Sequence, residues 1–258
     1  QPDTCLLSRQ YKEAVYNNEL DLDAIDPYVM VYRRIEKYLT ARQEFNRLEL
    51  IRRCFYYQIG KQLSQYASNS TWQRKFLERL VEDWRWTKDK LKELDTRQQW
   101  RAEKVKAERL ELVRELTSSY RFLLEFARKN REAVYMYLNE VHVLGRKLYS
   151  WYERKAGKVD LMNLDITPNL LEKSLYFCQV SHRTQTVWAV YAEVISHRDT
   201  PTTQPLRRSE SLVELVAWCH FNGLANASTK LSVLDGEHQL SDGELKKIFN
   251  TLEQALPA

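Results

Sequence analysis

With 258 residues, 43% of them apolar, the chain is long enough to bury one large or two modest cores without disulfide staples. Only six Gly and six Pro among 29% charged residues favour helices over a sheet sandwich or a doubly wound nucleotide fold, whose phosphate loops need glycine turns. A net charge of +5, with pI ≈ 8.9, is too mild to compel a nucleic-acid partner, and no apolar run reaches the roughly 18–20 residues of a transmembrane helix.

The first 26 residues read as a lead-in. Leu6, Leu7, Tyr11, Ala14 and Val15 suit a short helix that Asn17-Asn18 ends, followed by an acidic connector at Leu20–Asp23. Asp26-Pro27 is a strong helix start, with an acceptor at the cap and a proline whose missing N–H costs nothing there. Apolar positions from Val31 and Ile35 through Ile59 and Leu63 keep a helical period, which predicts one helix from Pro27 to about Ala67, bent near Gly60. Arg33, Arg34, Arg52 and Arg53 lie among Tyr28, Tyr32, Tyr56 and Tyr57 on it. Cations with interleaved rings suit nucleic acid, while the plainer reading is amphipathic cover for a bundle surface.

The stretch 70–156 has no proline, and its one glycine is Gly145. Ser70 with Gln73 has the spacing of a capping box. Leu77, Trp84, Leu91, Val105, Leu112, Phe126 and Ala133 share a seven-residue spacing, and the companion apolar position changes phase near Asp95–Gln99. As one helix the stretch would run roughly 130 Å at about 1.5 Å per residue. Helices average ~11–12 residues, so a reversal is expected near 95–99, where Thr96 and Gln99 offer a second capping box, or near Thr117–Ser119. The other face alternates in charge sign, as solvated helix faces do. Trp86 and Trp100 fall off the apolar stripe and are candidate partner contacts, together with Arg33, Arg34, Arg52, Arg53 and Tyr56. The unbroken apolar run at Ala133–Leu138 predicts the centre of the bundle.

Gly157 suits the stop of this stretch, and Thr167-Pro168 suits the start of the next element. Leu170, Leu171, Leu175 and Cys178 fit a helix. The run 184–196 is rich in strand formers but is read as helix from its helical surroundings. His197–Arg208, with two prolines, reads as an exposed loop in which Arg207-Arg208 is either a small anion contact or without a role. Ser211 with Glu214, and Ser241 with Glu244, are capping boxes for two further helices, the first ended by Asn222-Gly223. Lys230–Leu234 is either a helical turn or a short strand.

Signatures of chemistry are sparse. Cys178 and His182, four apart, with Cys219 and His220, fall short of the four convergent ligands zinc needs, so no metal site is expected. There is no nucleophile elbow, no phosphate loop and no His-Glu-x-x-His, so neither catalytic residues nor a cofactor are expected. Cys5, Cys54, Cys178 and Cys219 read most simply as free thiols of a cytoplasmic protein. An exported or periplasmic home stays open because the chain starts at Gln1. The expectation is a mainly α protein: an elongated antiparallel bundle of long helices over 1–157 and a smaller C-terminal helical or α+β domain over 158–258. Its expected role is that of a non-enzymatic scaffold binding another protein or a second copy of itself. A nucleic-acid-binding role or a peripheral membrane-surface role is the alternative.

Overall fold

In the computed structural model the described residues are 7–19, 21, 25–67, 71–130, 138–152, 159–162, 167, 170–182, 185–195, 203–234 and 240–257. The chain is mainly helical, with strands confined to its C-terminal part. It divides into two compact units, Gln1–Asp95 and Thr96–Ala258.

The first unit holds α1 (Leu7–Tyr16), α2 (Pro27–Ala41), α3 (Phe45–Ile59), α4 (Trp72–Asp83) and α5 (Lys88–Asp95). Asp26 caps α2 as expected, its carboxylate accepting from the Tyr28 and Val29 N–H groups at 2.9 and 3.0 Å. The single helix expected over 27–67 is two. α2 stops at Ala41, Gln43 takes a positive φ of 58°, and α3 ends at Gly60 in the left-handed conformation. The hydrophobic period survives this break because both helices turn the same face inward: Tyr32 and Leu39 from α2, Leu48 and Tyr56 from α3. Leu77 and Leu80 of α4 complete the core with no exposed surface. Burying each such leucine is worth about 1.5–3 kcal/mol. Thr71, one residue after the predicted Ser70, caps α4 by accepting from Arg74 N–H; Ser70 itself lies outside the described residues.

The second unit opens on a 3-10 turn at Arg97–Gln99, followed by α6 (Ala102–Lys129) and α7 (Leu138–Tyr152). The helix is therefore interrupted at 95–99, and it runs on through Thr117–Ser119, which lie inside α6. Thr96 makes no side-chain cap, so the second capping box is absent. Residues 131–137 and Gly157 lie outside the described residues. Helices α6 and α7 pack on each other, with the Tyr120 hydroxyl standing where a Cβ at Gly145 would go.

The C-terminal part is a four-stranded sheet of order β3-β2-β1-β4, with β1 (Ser174–His182), β2 (Gln185–Tyr191), β3 (Arg207–Ser209) and β4 (Lys230–Val233). Strand β1 pairs antiparallel with β2 and parallel with β4, and β3 pairs antiparallel with β2. The helices expected over 170–178 and 184–196 are thus β1 and β2. The reason is physical. Leu175 and Phe177 are buried on one face of the sheet while Cys178, Ala189 and Tyr191 form a core cluster on the other. A strand covered on both faces reads as a continuous apolar run, which has no period to betray it. Arg207-Arg208 lie on β3, not in a loop. Helices α8 (Leu212–Phe221) and α9 (Asp242–Ala255) pack together, α8 against β2 and β3, α9 against β4. Ser211 accepts from Glu214 N–H, and Ser241 with Glu244 forms the complete capping box.

Helix α6 is capped from a distance. Arg101 at its start makes no side-chain cap, and the carboxylate of Glu172, just before β1, accepts from the Ala102 N–H at 3.2 Å and from Arg101 Nη1 at 3.5 Å. The backbone of Glu172 is fixed in turn: its N–H donates to Leu224 O at 2.9 Å, and its carbonyl accepts from Thr229 Oγ1 at 3.1 Å. Burial pushes the Glu172 carboxyl above the usual range, against the lowering pull of the Ala102 N–H and Arg101. Glu172→Ala leaves the buried Ala102 N–H without its acceptor and should cost about 1–3 kcal/mol in urea unfolding. Glu172→Gln, which keeps an acceptor oxygen, should retain most of that stability.

Candidate functional site

Two groups of charged and aromatic side chains stand out, one in each unit. In the first unit Glu36 of α2 is the centre. It accepts from Tyr32 Oη at 2.6 Å, Arg33 Nη1 at 2.9 Å and Arg52 Nη2 at 3.2 Å. The Arg52 guanidinium also lies 5.8 Å from the Trp84 ring centroid. Tyr32 stacks on Phe55 at 4.5 Å, Trp84 meets Trp86 at 4.8 Å, and Trp86 meets Tyr56 at 5.7 Å. Trp86 Nε1 donates to Glu49 at 3.2 Å, and Tyr56 Oη donates to Asp95 at 2.7 Å. Burial, then the Glu36 hydrogen bond, pushes the Tyr32 hydroxyl well above its ordinary value. For Glu36 itself, burial pushes upward, but the bonds from Tyr32, Arg33 and Arg52 outweigh it and hold the carboxyl below the usual range.

Of the contacts expected from sequence, Arg33, Arg52, Tyr56 and Trp86 belong to this one layer. Arg34 reaches the other way, to Gln10 of α1 at 3.3 Å. Arg53 is buried, with 6% of its surface exposed. Trp100 lies in the second unit, buried, with Lys104 Nζ 5.3 Å from its ring centroid.

The second group is a cleft of about 320 Å³ lined by Lys106, Arg109 and Leu110 of α6, Asp160 and Met162, Pro205–Arg208 at β3, and Trp218 of α8. Lys106 and Arg109, three residues apart, share one face of α6. Asp160 holds two guanidiniums, Arg109 Nη1 at 2.9 Å and Arg207 Nη1 at 3.3 Å. Its carbonyl accepts from Trp218 Nε1 at 2.8 Å and from Asn222 Nδ2 at 3.3 Å, and Asn222 Oδ1 accepts from Met162 N–H at 2.6 Å. Trp218 and Asn222 are four apart, so successive turns at the end of α8 grip the segment 160–162. The Arg207 guanidinium lies over the Trp218 ring at 5.3 Å. Lys106 Nζ donates to the Pro205 carbonyl. Burial, reinforced by the charge of Arg208, lowers the Lys106 pKa. Sequence reading flagged Arg207-Arg208 but missed Lys106, Arg109, Asp160 and Trp218. The only local signal was the i,i+3 pair on α6, because the cleft joins segments roughly 50 to 100 positions apart.

Cys178 and Cys219 are buried thiols, and burial raises the Cys178 pKa to about 11 and that of Cys219 further. Among the described residues no group of three or more Cys, His, Asp or Glu is placed to hold a metal, and no helix is long and apolar enough to cross a membrane.

A helical first part followed by an α+β second part with a cationic cleft defines the class of chain to which comparison can be made. Residues 1–163 match the family model for the second domain of class-I adenylate cyclase, and residues 170–258 match the model for its third domain. The chain belongs to the class-I adenylate cyclase family. It is 36% identical over 234 residues to the adenylate cyclases of Escherichia coli K12 and Salmonella typhimurium LT2, which covers 90% of this chain and 28% of theirs. It is 32% identical over 260 residues to that of Haemophilus influenzae, covering all of this chain and 30% of that protein. The chain thus spans under a third of the curated relatives it matches. No solved structure matches it. Membership in a family of enzymes overturns the expectation of a non-enzymatic scaffold. That expectation failed because it took missing catalytic signatures as evidence of a purely adhesive role.

Two measurements check these networks. The lowered carboxyl of Glu36 contributes stability above the ordinary carboxyl range, and that contribution is lost as pH falls through its lower folded value. Glu36→Gln should therefore flatten part of the acid limb of the pH–stability curve. Asp160→Ala, which strips Arg109 and Arg207 of their shared acceptor, should cost about 1–3 kcal/mol in urea unfolding, with Asp160→Asn losing less.

Proposed function

We propose that the chain serves in the conversion of ATP to cyclic AMP and pyrophosphate. In that reaction the ribose 3′-oxygen forms a bond to the α-phosphorus, the bond from that phosphorus to the bridging oxygen breaks, the 3′-hydroxyl gives up its proton and pyrophosphate leaves. The observation that carries this reading is the order and extent of the family matches: second domain, then third, across nearly the whole chain. A domain junction near 157–170 belongs to the proposal, since the two family models meet there, while contacts among the described residues divide at 95/96. A cytoplasmic site of action, where ATP is plentiful, fits the reading, and so do the buried thiols of Cys178 and Cys219.

The test is direct. The natural protein carrying this sequence, expressed in an Escherichia coli strain that lacks its own adenylate cyclase, should restore cyclic AMP. The purified protein should form cyclic AMP and pyrophosphate from ATP in equal amounts. A folded protein that forms neither product overturns the proposal.

A further inference from the structure

The cleft between α6, β3 and α8 has a charge imbalance that its own residues do not resolve. Four cations, Lys106, Arg109, Arg207 and Arg208, and a single carboxylate, Asp160, line the cleft. Asp160 takes one bond from each of two guanidiniums. Glu214 lies 3.6 Å from Arg207 but is exposed on α8. Arg208 has no acidic partner among the described residues, and the buried Nε atoms of Arg109 and Arg207 have no acceptor. Guanidiniums present several donors in a planar fork that matches phosphate oxygens. A recess with low-dielectric walls strengthens the pull of such charges on an anion.

The acidic side chains nearby lie to one side. Glu103 and Glu193 line the adjoining cleft of about 310 Å³, which shares Lys106, Leu110, Pro205 and Leu206 with the first. The Glu103 carboxyl is raised by burial and by the charge of Glu193, and lowered by Lys106, which lines both clefts; Arg109, Arg207 and Arg208 line only the first. Lys106, crowded by Arg208, would gain from an anion seated between them.

We infer that the cleft binds a phosphoryl group, with Lys106, Arg208 and the free donors of Arg109 and Arg207 as its ligands and Asp160 as the residue that positions the two guanidiniums. The phosphoryl group has two sources, the polyphosphate of ATP or pyrophosphate, and free inorganic phosphate. The inference does not depend on the cyclase reading, because binding is measured without turnover. A chain that binds pyrophosphate yet forms no cyclic AMP leaves it standing, and an active enzyme that binds no phosphoryl anion here refutes it.

The experiment is isothermal titration calorimetry of the full chain with ATP, pyrophosphate and inorganic phosphate, repeated at several salt concentrations. At least one of the three should bind, with affinity falling as salt rises. Arg208→Gln, a change at an exposed position on the edge strand, should weaken binding by about tenfold or more without shifting the melting temperature, and Lys106→Gln should do the same. Binding of ATP and pyrophosphate alone identifies a polyphosphate as the ligand. Equal binding of inorganic phosphate identifies a lone phosphoryl group. No binding of any titrant, or binding that both variants leave unchanged, overturns the inference.

Discussion

The second unit depends on one carboxylate. Asp160 meets Arg109 from a helix and Arg207 from an edge strand, while its carbonyl is held by Trp218 and Asn222 from a second helix. Two helices and an edge strand are tied at a single residue. Charge-assisted hydrogen bonds of this kind are about twice as strong as neutral ones, and losing the acceptor leaves two half-buried guanidiniums uncompensated. Glu172 plays the complementary part on the same long helix, fixing its first turn to the start of β1 and to the segments at Leu224 and Thr229. With its first turn set by Glu172 and its Arg109 by Asp160, α6 carries Lys106 and Arg109 in a defined orientation toward β3.

The two charged clusters follow opposite logic. Around Glu36, one carboxylate accepts from a tyrosine and two arginines, and the guanidinium of Arg52 lies over Trp84 among stacked rings. That arrangement spends its charges internally and locks α2 to α3. Around Asp160, two guanidiniums bond one carboxylate, Arg207 also reaches Glu214, and Lys106 and Arg208 line the same recess. Arg208 has no acidic partner among the described residues, whereas Arg33 and Arg52 are both held on Glu36. That difference, in a recess of about 320 Å³, is what singles out the second cluster for the phosphoryl inference.

Much of the helical layout was legible in the sequence, because caps and periodicity act locally. Asp26-Pro27, Ser211 and Ser241 start helices where their chemistry says they should, and the acidic and polar stretch at 95–99 does interrupt the helix. What was lost are the features that depend on distant neighbours. The break at Gln43 is a backbone excursion that no proline or glycine announces. Strands β1 and β2 hide in apolar runs because both faces of the sheet are covered. The cap on α6 comes from Glu172, seventy positions away, so Thr96 and Gln99 look like a cap and are not one. Of the cleft, only Arg207-Arg208 drew notice in the sequence, as an anion contact or as a pair without a role, and on a loop rather than a strand. Asp160 is an ordinary acidic residue until the fold brings it between two arginines.

Lys106, Arg109, Arg207 and Arg208 around Asp160 are inferred to recognise a phosphoryl group, whereas Arg33 and Arg52 are held on Glu36. Arginine side-chain Nε–H resonances of the intact chain, followed by NMR during a pyrophosphate titration, separate the two clusters in one experiment. The signals of Arg109, Arg207 and Arg208 should shift along a common saturation curve while those of Arg33 and Arg52 stay in place. Unmoved signals in the Asp160 cleft, or shifts confined to Arg33 and Arg52, would contradict the account.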